Sequence, residues 1–382
     1  MPIDILKPGT QVILGNQGAY AEVIKFIGNG ALSMVYKVHY HCRNSDGSYS
    51  DKEALMREFF PSGAKDELYD YFTRVYKNGR YDGFEVDPGQ NIQSAFCRFK
   101  DNQIYQELIN NEVLSKYVVK IQDQSLLYSD EGKNYYKGIF ITDDDFCNSC
   151  YRIFADKPLI DNLQFLHTLT NIVGDFHENG FLIPDLKPEN IIYFKSYTTI
   201  LKLIDFDSVL KKPVASDCII PRSKGYCAPE IEKGIVNDRS DIFSLGMILT
   251  EILFGFDWYN LIETHDSVHE IIKYGKLLYG FEELLYNNTY IDAKQNGYRL
   301  SFGTIIFIKK ILSKSICHDS EYRYHSCREM ARDILTLIEI ISNHGVHPEV
   351  MLNNAIKDVQ NKEKFSADNF DPDLFTEVEV VE

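Results

Sequence analysis

Six consecutive residues, Asp185-Leu186-Lys187-Pro188-Glu189-Asn190, place a carboxylate five positions before a carboxamide, with an ammonium group between them. That set suits phosphoryl transfer. Asp185 can accept the proton of an attacking hydroxyl, Lys187 can neutralise the moving phosphoryl group, and Asn190 can offer its amide oxygen to Mg2+. Further on, Ile204-Asp205-Phe206-Asp207 supplies Asp205 as a second carboxylate for the same cation and the phosphate oxygens. Nearer the start, Ile27-Gly28-Asn29-Gly30-Ala31-Leu32-Ser33-Met34-Val35 follows the phosphate-covering pattern G-x-G-x-x-G-x-V, with Ser33 at the third glycine position. Taken alone, an ordinary β-turn accounts for that stretch equally well.

These residues need elements to position them. Ala21–Ile27 and Met34–Val38 carry β-branched and aromatic residues around a Gly-Asn-Gly turn, which predicts a hairpin. Another apolar run, Ala54-Leu55-Met56 and Phe59-Phe60, stops at Pro61; the Gly- and Tyr-rich passage beyond it has no steady period and reads as an insertion. Ile104, Leu108, Ile109, Val113 and Leu114 have helical spacing, and Ser125–Tyr128 and Tyr136–Ile141 read as strands. After Thr142 helical spacing takes over: Leu159 to Phe176, Phe243 to Leu253, Phe302 to Leu312 and Met330 to Ile341. Two short strands, Ile191–Phe194 and Leu201–Ile204, stand between the first two helices. The expectation is an α+β fold: a β-rich part over 1–142 with an insertion at about 62–99, a helical part over 143–342, and an acidic tail over 343–382.

Composition narrows the function classes. The 382 residues are 44% apolar and 25% charged, with 25 Tyr and 24 Phe, enough for a full core. The net charge of −16 disfavours phosphate backbones and anionic lipid, so neither nucleic acid nor a membrane is an expected partner. The tail contributes to that charge with nine acidic and three basic residues. Eight cysteines scattered without a disulfide pattern, and no apparent leader, suggest a cytoplasmic protein with reduced thiols. Cys147 and Cys150 alone have C-x-x-C spacing, short of a closed zinc site.

From about Phe26 to Ile341 the chain resembles the eukaryotic-type (Hanks-type) Ser/Thr protein kinase superfamily. Besides the strings above, Gly225-Tyr226-Cys227-Ala228-Pro229-Glu230 is similar to the motif that closes the activation segment, and Asp241–Gly246 to the start of the central large-lobe helix. The resemblance implies a bilobal fold that binds ATP and Mg2+ between a β-rich small lobe and an α-helical large lobe and phosphorylates a protein substrate. It implies catalytic roles for Asp185, Lys187, Arg57 and Glu107, and nucleotide contacts from Ile27, Gly28, Asn29, Gly30, Val35, Leu55 and Arg57. Asn190 and Asp205 are the implied metal ligands. It also implies that Glu230 pairs with Arg323, that Asp241 holds the catalytic loop, and, through Lys187 and Ser223, a Ser/Thr preference. Small-molecule kinases of the aminoglycoside phosphotransferase type share the Asp and Asn but lack the Ala-Pro-Glu segment.

Three departures bear on activity. Ile183-Pro184-Asp185 stands where the family usually has His-Arg-Asp, which removes the arginine that receives a phosphorylated activation segment. Leu55-Met56-Arg57-Glu58 replaces Ala-x-Lys-Glu, exchanging an ammonium for a planar guanidinium. Lys25, Lys37 and Lys52 are possible substitute ammonium groups or plain strand lysines, and Glu107 is preferred over Glu112 as the partner carboxylate. Asp207 takes the glycine position of Asp-Phe-Gly, as an added carboxylate or a turn cap. A pseudokinase acting as a scaffold or allosteric partner is therefore the rival to an active enzyme.

Overall fold

Strand-forming residues from Tyr20 to Phe59 build three long antiparallel strands in the computed structural model of the chain. The structure describes residues 5–14, 19–29, 33–43, 46–59, 72–86, 103–129, 134–143, 157–195, 199–203, 208–214, 220, 223, 225–254 and 300–342. The chain divides into two units, Met1–Ser149 with Ile192–Asp207, and Cys150–Ile191 with Ser208–Glu382.

The first unit contains β1 (Gln11–Ile13), β2 (Tyr20–Asn29), β3 (Ser33–Arg43), β4 (Tyr49–Phe59), β5 (Phe72–Lys77), β6 (Arg80–Val86), helix α1 (Gln103–Asn110), β7 (Ile121–Ser129) and β8 (Asn134–Asp143). Strands β1, β2, β3, β4, β8 and β7 are neighbours in that order, and each of these pairs is antiparallel. β6 then meets β1 through Val12 and Tyr81, and meets β8 through Phe84–Tyr136, Glu85–Tyr135 and Val86–Asn134. Six strands thereby form a closed ring. Its interior holds Val23, Tyr36, Val38, Met56, Phe84 and Ile141 among other buried residues. Each such side chain contributes about 1.5–3 kcal/mol on leaving water.

The expected insertion at 62–99 thus supplies, in its described part, the hairpin that closes this ring. Its turn is Asn78-Gly79, with φ of 51° and 78°, the left-handed pair that a two-residue hairpin turn requires. The strand period is hidden for a physical reason. β5 shifts register between Val75 and Tyr76, and β6 buries Tyr81, Asp82, Gly83 and Phe84 in succession, so neither strand alternates cleanly.

Charged groups are enclosed along with this hairpin. Glu58 on β4 is 1% exposed and receives both terminal nitrogens of Arg74 at 2.6 and 2.9 Å, with the Tyr36 hydroxyl at 3.2 Å. Lys137, 1% exposed on β8, donates to Asp82 at 3.1 Å; burial holds its pKa below the usual lysine value.

The second unit is built on helices α2 (Leu159–Glu178), α3 (Asp238–Phe254), α4 (Phe302–Ser315) and α5 (Cys327–Ser342). α3 is buried on nearly every side from Ser240 to Leu253, as expected of a helix apolar all round. α2 packs on α3 and α5, and α4 on α3 and α5. After α2, Gly180 at φ 85° turns the chain into the two-residue strand β9 (Phe181–Leu182). Two further strands, β10 (Ile191–Lys195) and β11 (Thr199–Leu203), which fall to the first unit from Ile192 on, pair with each other, while β12 (Leu210–Lys211) pairs antiparallel with β9. Among the described residues no helix is long and apolar enough to cross a membrane.

Candidate active site

The loop from Ile183 to Asn190 is fixed from beneath by α3. Asp241, fully buried, accepts the Ile183 backbone N–H at 2.8 Å and His177 Nε2 at 2.7 Å through one oxygen. Burial would push His177 down, but its bonds to Asp241 and to Cys327 Sγ outweigh that and raise its pKa to about 10. His177 and Asp241 are therefore a buried ion pair under the loop. Ile183, 2% exposed, fills the interior at the position the family usually gives to histidine.

Above this support the loop gathers its polar side chains. Asp185 Oδ2 accepts from Lys187 Nζ at 3.0 Å and from Asn190 Nδ2 at 3.2 Å; the same Nδ2 donates to the Asp185 carbonyl at 3.0 Å. Lys187 Nζ also donates to Ser223 Oγ in a very short contact. The other carboxylate oxygen, Asp185 Oδ1, is buried and has no hydrogen-bond partner among the described residues. Asp185, Lys187, Asn190 and Ser223 are thus one cluster, made compact by the 3-10 turn Pro188–Asn190.

The segment ending at Glu230 is anchored separately. Arg323, 2% exposed, gives Nη1 and Nη2 to the two Glu230 oxygens at 2.7 and 2.9 Å, and spends its remaining donors on the carbonyls of Cys317, Arg239 and His318. Burial raises the Glu230 carboxyl, but the bonds from Arg323 and Ser240 outweigh it and hold the pKa below the usual range. The pairing implied by the resemblance forms across 93 residues of sequence.

In the first unit, Val35 lies opposite both Gly28 and Arg57 in the strand register. Val35, Leu55 and Arg57 are half-buried on the face of the sheet opposite the ring's core, while Ile27 is 50% exposed. Arg57 Nε donates to Ser33 Oγ at 2.9 Å, and its guanidinium lies 4.7 Å from the centre of the Phe59 ring. Glu107 is half-buried on α1 and Glu112 is exposed just after it. Lys37 pairs with Glu53 at 2.7 Å, Lys52 reaches Gln122 at 3.4 Å, and Lys25 is exposed. Asn29 ends β2; Gly30, Cys147, Cys150, Asp205 and Asp207 lie outside the described residues. Among the described residues no three His, Cys, Asp or Glu side chains gather to hold a metal. Sequence reasoning missed Ser33 as the partner of Arg57, Arg74 as the partner of Glu58, and His177. Only the strand register could have revealed the first.

A helical unit with an Asp-Lys-Asn loop held by a buried aspartate, and a β-rich unit with a glycine-bearing hairpin, are the two parts of a protein-kinase-like α+β fold. Residues 159–333 match the family model described as "Protein kinase domain". Three similar proteins are Calcium-dependent protein kinase 22 of Oryza sativa subsp. japonica, the Probable dual specificity protein kinase YAK1 homolog of Encephalitozoon cuniculi (strain GB-M1), and human Calcium/calmodulin-dependent protein kinase type IV. The first is 39% identical over 108 residues, 27% of this chain and 19% of that protein. The second is 35% identical over 146 residues, 38% of this chain and 35% of that protein. The third is 38% identical over 102 residues, 25% of this chain and 21% of that protein. The chain therefore spans no more than about a third of the length of these relatives. Over residues 159–333 the chain is thus similar to eukaryotic-type protein kinases.

Proposed function

We propose that the chain is a Ser/Thr protein kinase that transfers the γ-phosphoryl group of MgATP to a protein hydroxyl. The observation that carries this reading is the Asp185 carboxylate, with Oδ2 held by Lys187 and Asn190 and Oδ1 buried without a partner among the described residues. A buried orphan oxygen costs free energy unless something else occupies it, and an acceptor hydroxyl has the complementary donor. Lys187 neutralises charge on the phosphoryl group as it moves. Asn190 fits a cation: its Nδ2 is committed to Asp185, which leaves the amide oxygen as the hard ligand that Mg2+ prefers. Asp205 is the second proposed ligand. When bound, the metal neutralises negative charge on the phosphate oxygens.

In the first unit, Gly28, Asn29 and Gly30 cover the phosphates in this reading, with Ile27, Val35 and Leu55 against the base. Arg57, oriented with Glu107, takes the clamping position. Contact of Lys187 with Ser223 supports Ser and Thr as acceptors. The proposed divisions are a nucleotide-binding lobe at 1–142 and a catalytic lobe at 143–342, with the tail at 343–382. We place the protein in the cytoplasm, acting on a protein substrate.

The test is transfer of labelled phosphate by wild type, Asp185→Asn and Asp205→Ala, with identification of the labelled residues. Removing the general base should lower the rate by about 10²–10⁴. Equal labelling in all three sinks the reading, and label confined to tyrosine sinks the Ser/Thr assignment. Arg57 at the usual lysine position favours a second reading, a pseudokinase. Thermal stabilisation by MgATP without any transfer would select it, since ligand at about a hundred times its Kd adds about 2.7 kcal/mol to stability.

A further inference from the structure

Two of the departures from the family pattern meet in one hydrogen bond. Ser33 occupies the third glycine position and Arg57 the lysine position, and their side chains join at 2.9 Å. The register explains how. Ser33 opens β3 opposite Phe59, and Val35 lies opposite Arg57, so Ser33 and Arg57 are diagonal neighbours on one face. Ser33 is 1% exposed, so its hydroxyl is not open to bulk water. The Phe59 ring, also 1% exposed and set edge-on to Phe140 at 4.9 Å, supports the guanidinium from beside it.

We infer that Ser33 is a positioning residue for Arg57: its hydroxyl fixes Nε so that the guanidinium fork is presented to the nucleotide phosphates where the family presents a lysine. This rests on the nucleotide-binding reading above. Lysine has a methylene where arginine has Nε–H, so it can reach the Ser33 hydroxyl only with the charged head itself. Glycine at position 33 would remove the oxygen that orients Nε. Each departure therefore disfavours the family's residue at the other position, and restoring the family lysine alone should harm rather than help.

The experiment measures MgATP affinity and the KM for ATP of the full chain as wild type, Ser33→Ala, Ser33→Thr, Arg57→Lys and the double variant Ser33→Gly/Arg57→Lys. Melting temperatures without nucleotide serve as the folding control. Loss of a hydrogen bond to a charged group should weaken ATP binding about tenfold in Ser33→Ala, with kcat much less affected. Ser33→Thr keeps the oxygen and should stay near wild type. Arg57→Lys should also lose about tenfold, and the double variant should bind no worse than Arg57→Lys alone. Wild-type affinity in Ser33→Ala, or losses that multiply in the double variant, overturns the inference alone. A wild type that binds no nucleotide overturns the functional reading and this inference with it.

Discussion

Arg74 holds Glu58 through both of its terminal nitrogens, and so ties the hairpin at 72–86 to the strand that carries Arg57. Its guanidinium also lies 4.9 Å from the Tyr81 ring centre and 5.1 Å from that of Phe84. Replacing Arg74 with Met leaves a buried carboxylate unpaired and should cost about 3–5 kcal/mol. The double variant Glu58→Leu/Arg74→Met should recover most of that, because two apolar groups replace two charges. Urea unfolding checks both; a double variant no more stable than Arg74→Met would contradict the account.

Arg323 uses every donor of its guanidinium, so a conservative exchange there is not conservative. Arg323→Lys keeps the charge but offers three donors from a single point and strands the carbonyls of Cys317, Arg239 or His318. We expect a loss of about 2–4 kcal/mol, read from denaturant midpoints, and no recovery on adding salt. A change below about 0.5 kcal/mol, the range of ordinary surface substitutions, would show the network to be dispensable.

His177 should make stability fall at alkaline pH. Its folded pKa, raised to about 10, lies above the ordinary value of 6.5. The stabilisation from its charged form is thus fully present below about pH 6.5 and is lost as pH rises through about 10. Unfolding free energies of wild type and His177→Gln should differ most near pH 6 and converge toward pH 10. A difference that is constant with pH would assign His177 a packing role only.

Gly246 is where α3 approaches the end of α4. A Cβ there would come within 2.5 Å of Ile316 Cγ2 and of Ser315 Oγ. Gly246→Ala should therefore destabilise by about 1–3 kcal/mol through overpacking, despite alanine's better helix propensity. A raised melting temperature would refute the close approach.

The sequence resolved features that are local or that a family pattern indexes. Asp185, Lys187 and Asn190 cluster because a single turn of chain joins them, so their spacing carried the geometry. Glu230 and Arg323 were paired only through the resemblance, since nothing in composition links residues so far apart. The hairpin at 72–86 escaped because a bulge and a strand covered on both faces erased its period, although Asn78-Gly79 marked the turn. The bond from Arg57 to Ser33 depends on a register that aligns Ser33 with Phe59, which no single strand encodes.

The closed ring also bears on how the chain can be made. β1 and β8 lie more than a hundred residues apart in sequence, and β6 joins them. During synthesis β1 to β6 emerge well before β8, which leaves β4 and β6 without the strand that joins them. Unpaired strand edges invite association with other chains. A nascent chain stalled before Asn134 is thus the form most in need of a chaperone, and truncation there should yield aggregates rather than a smaller folded lobe.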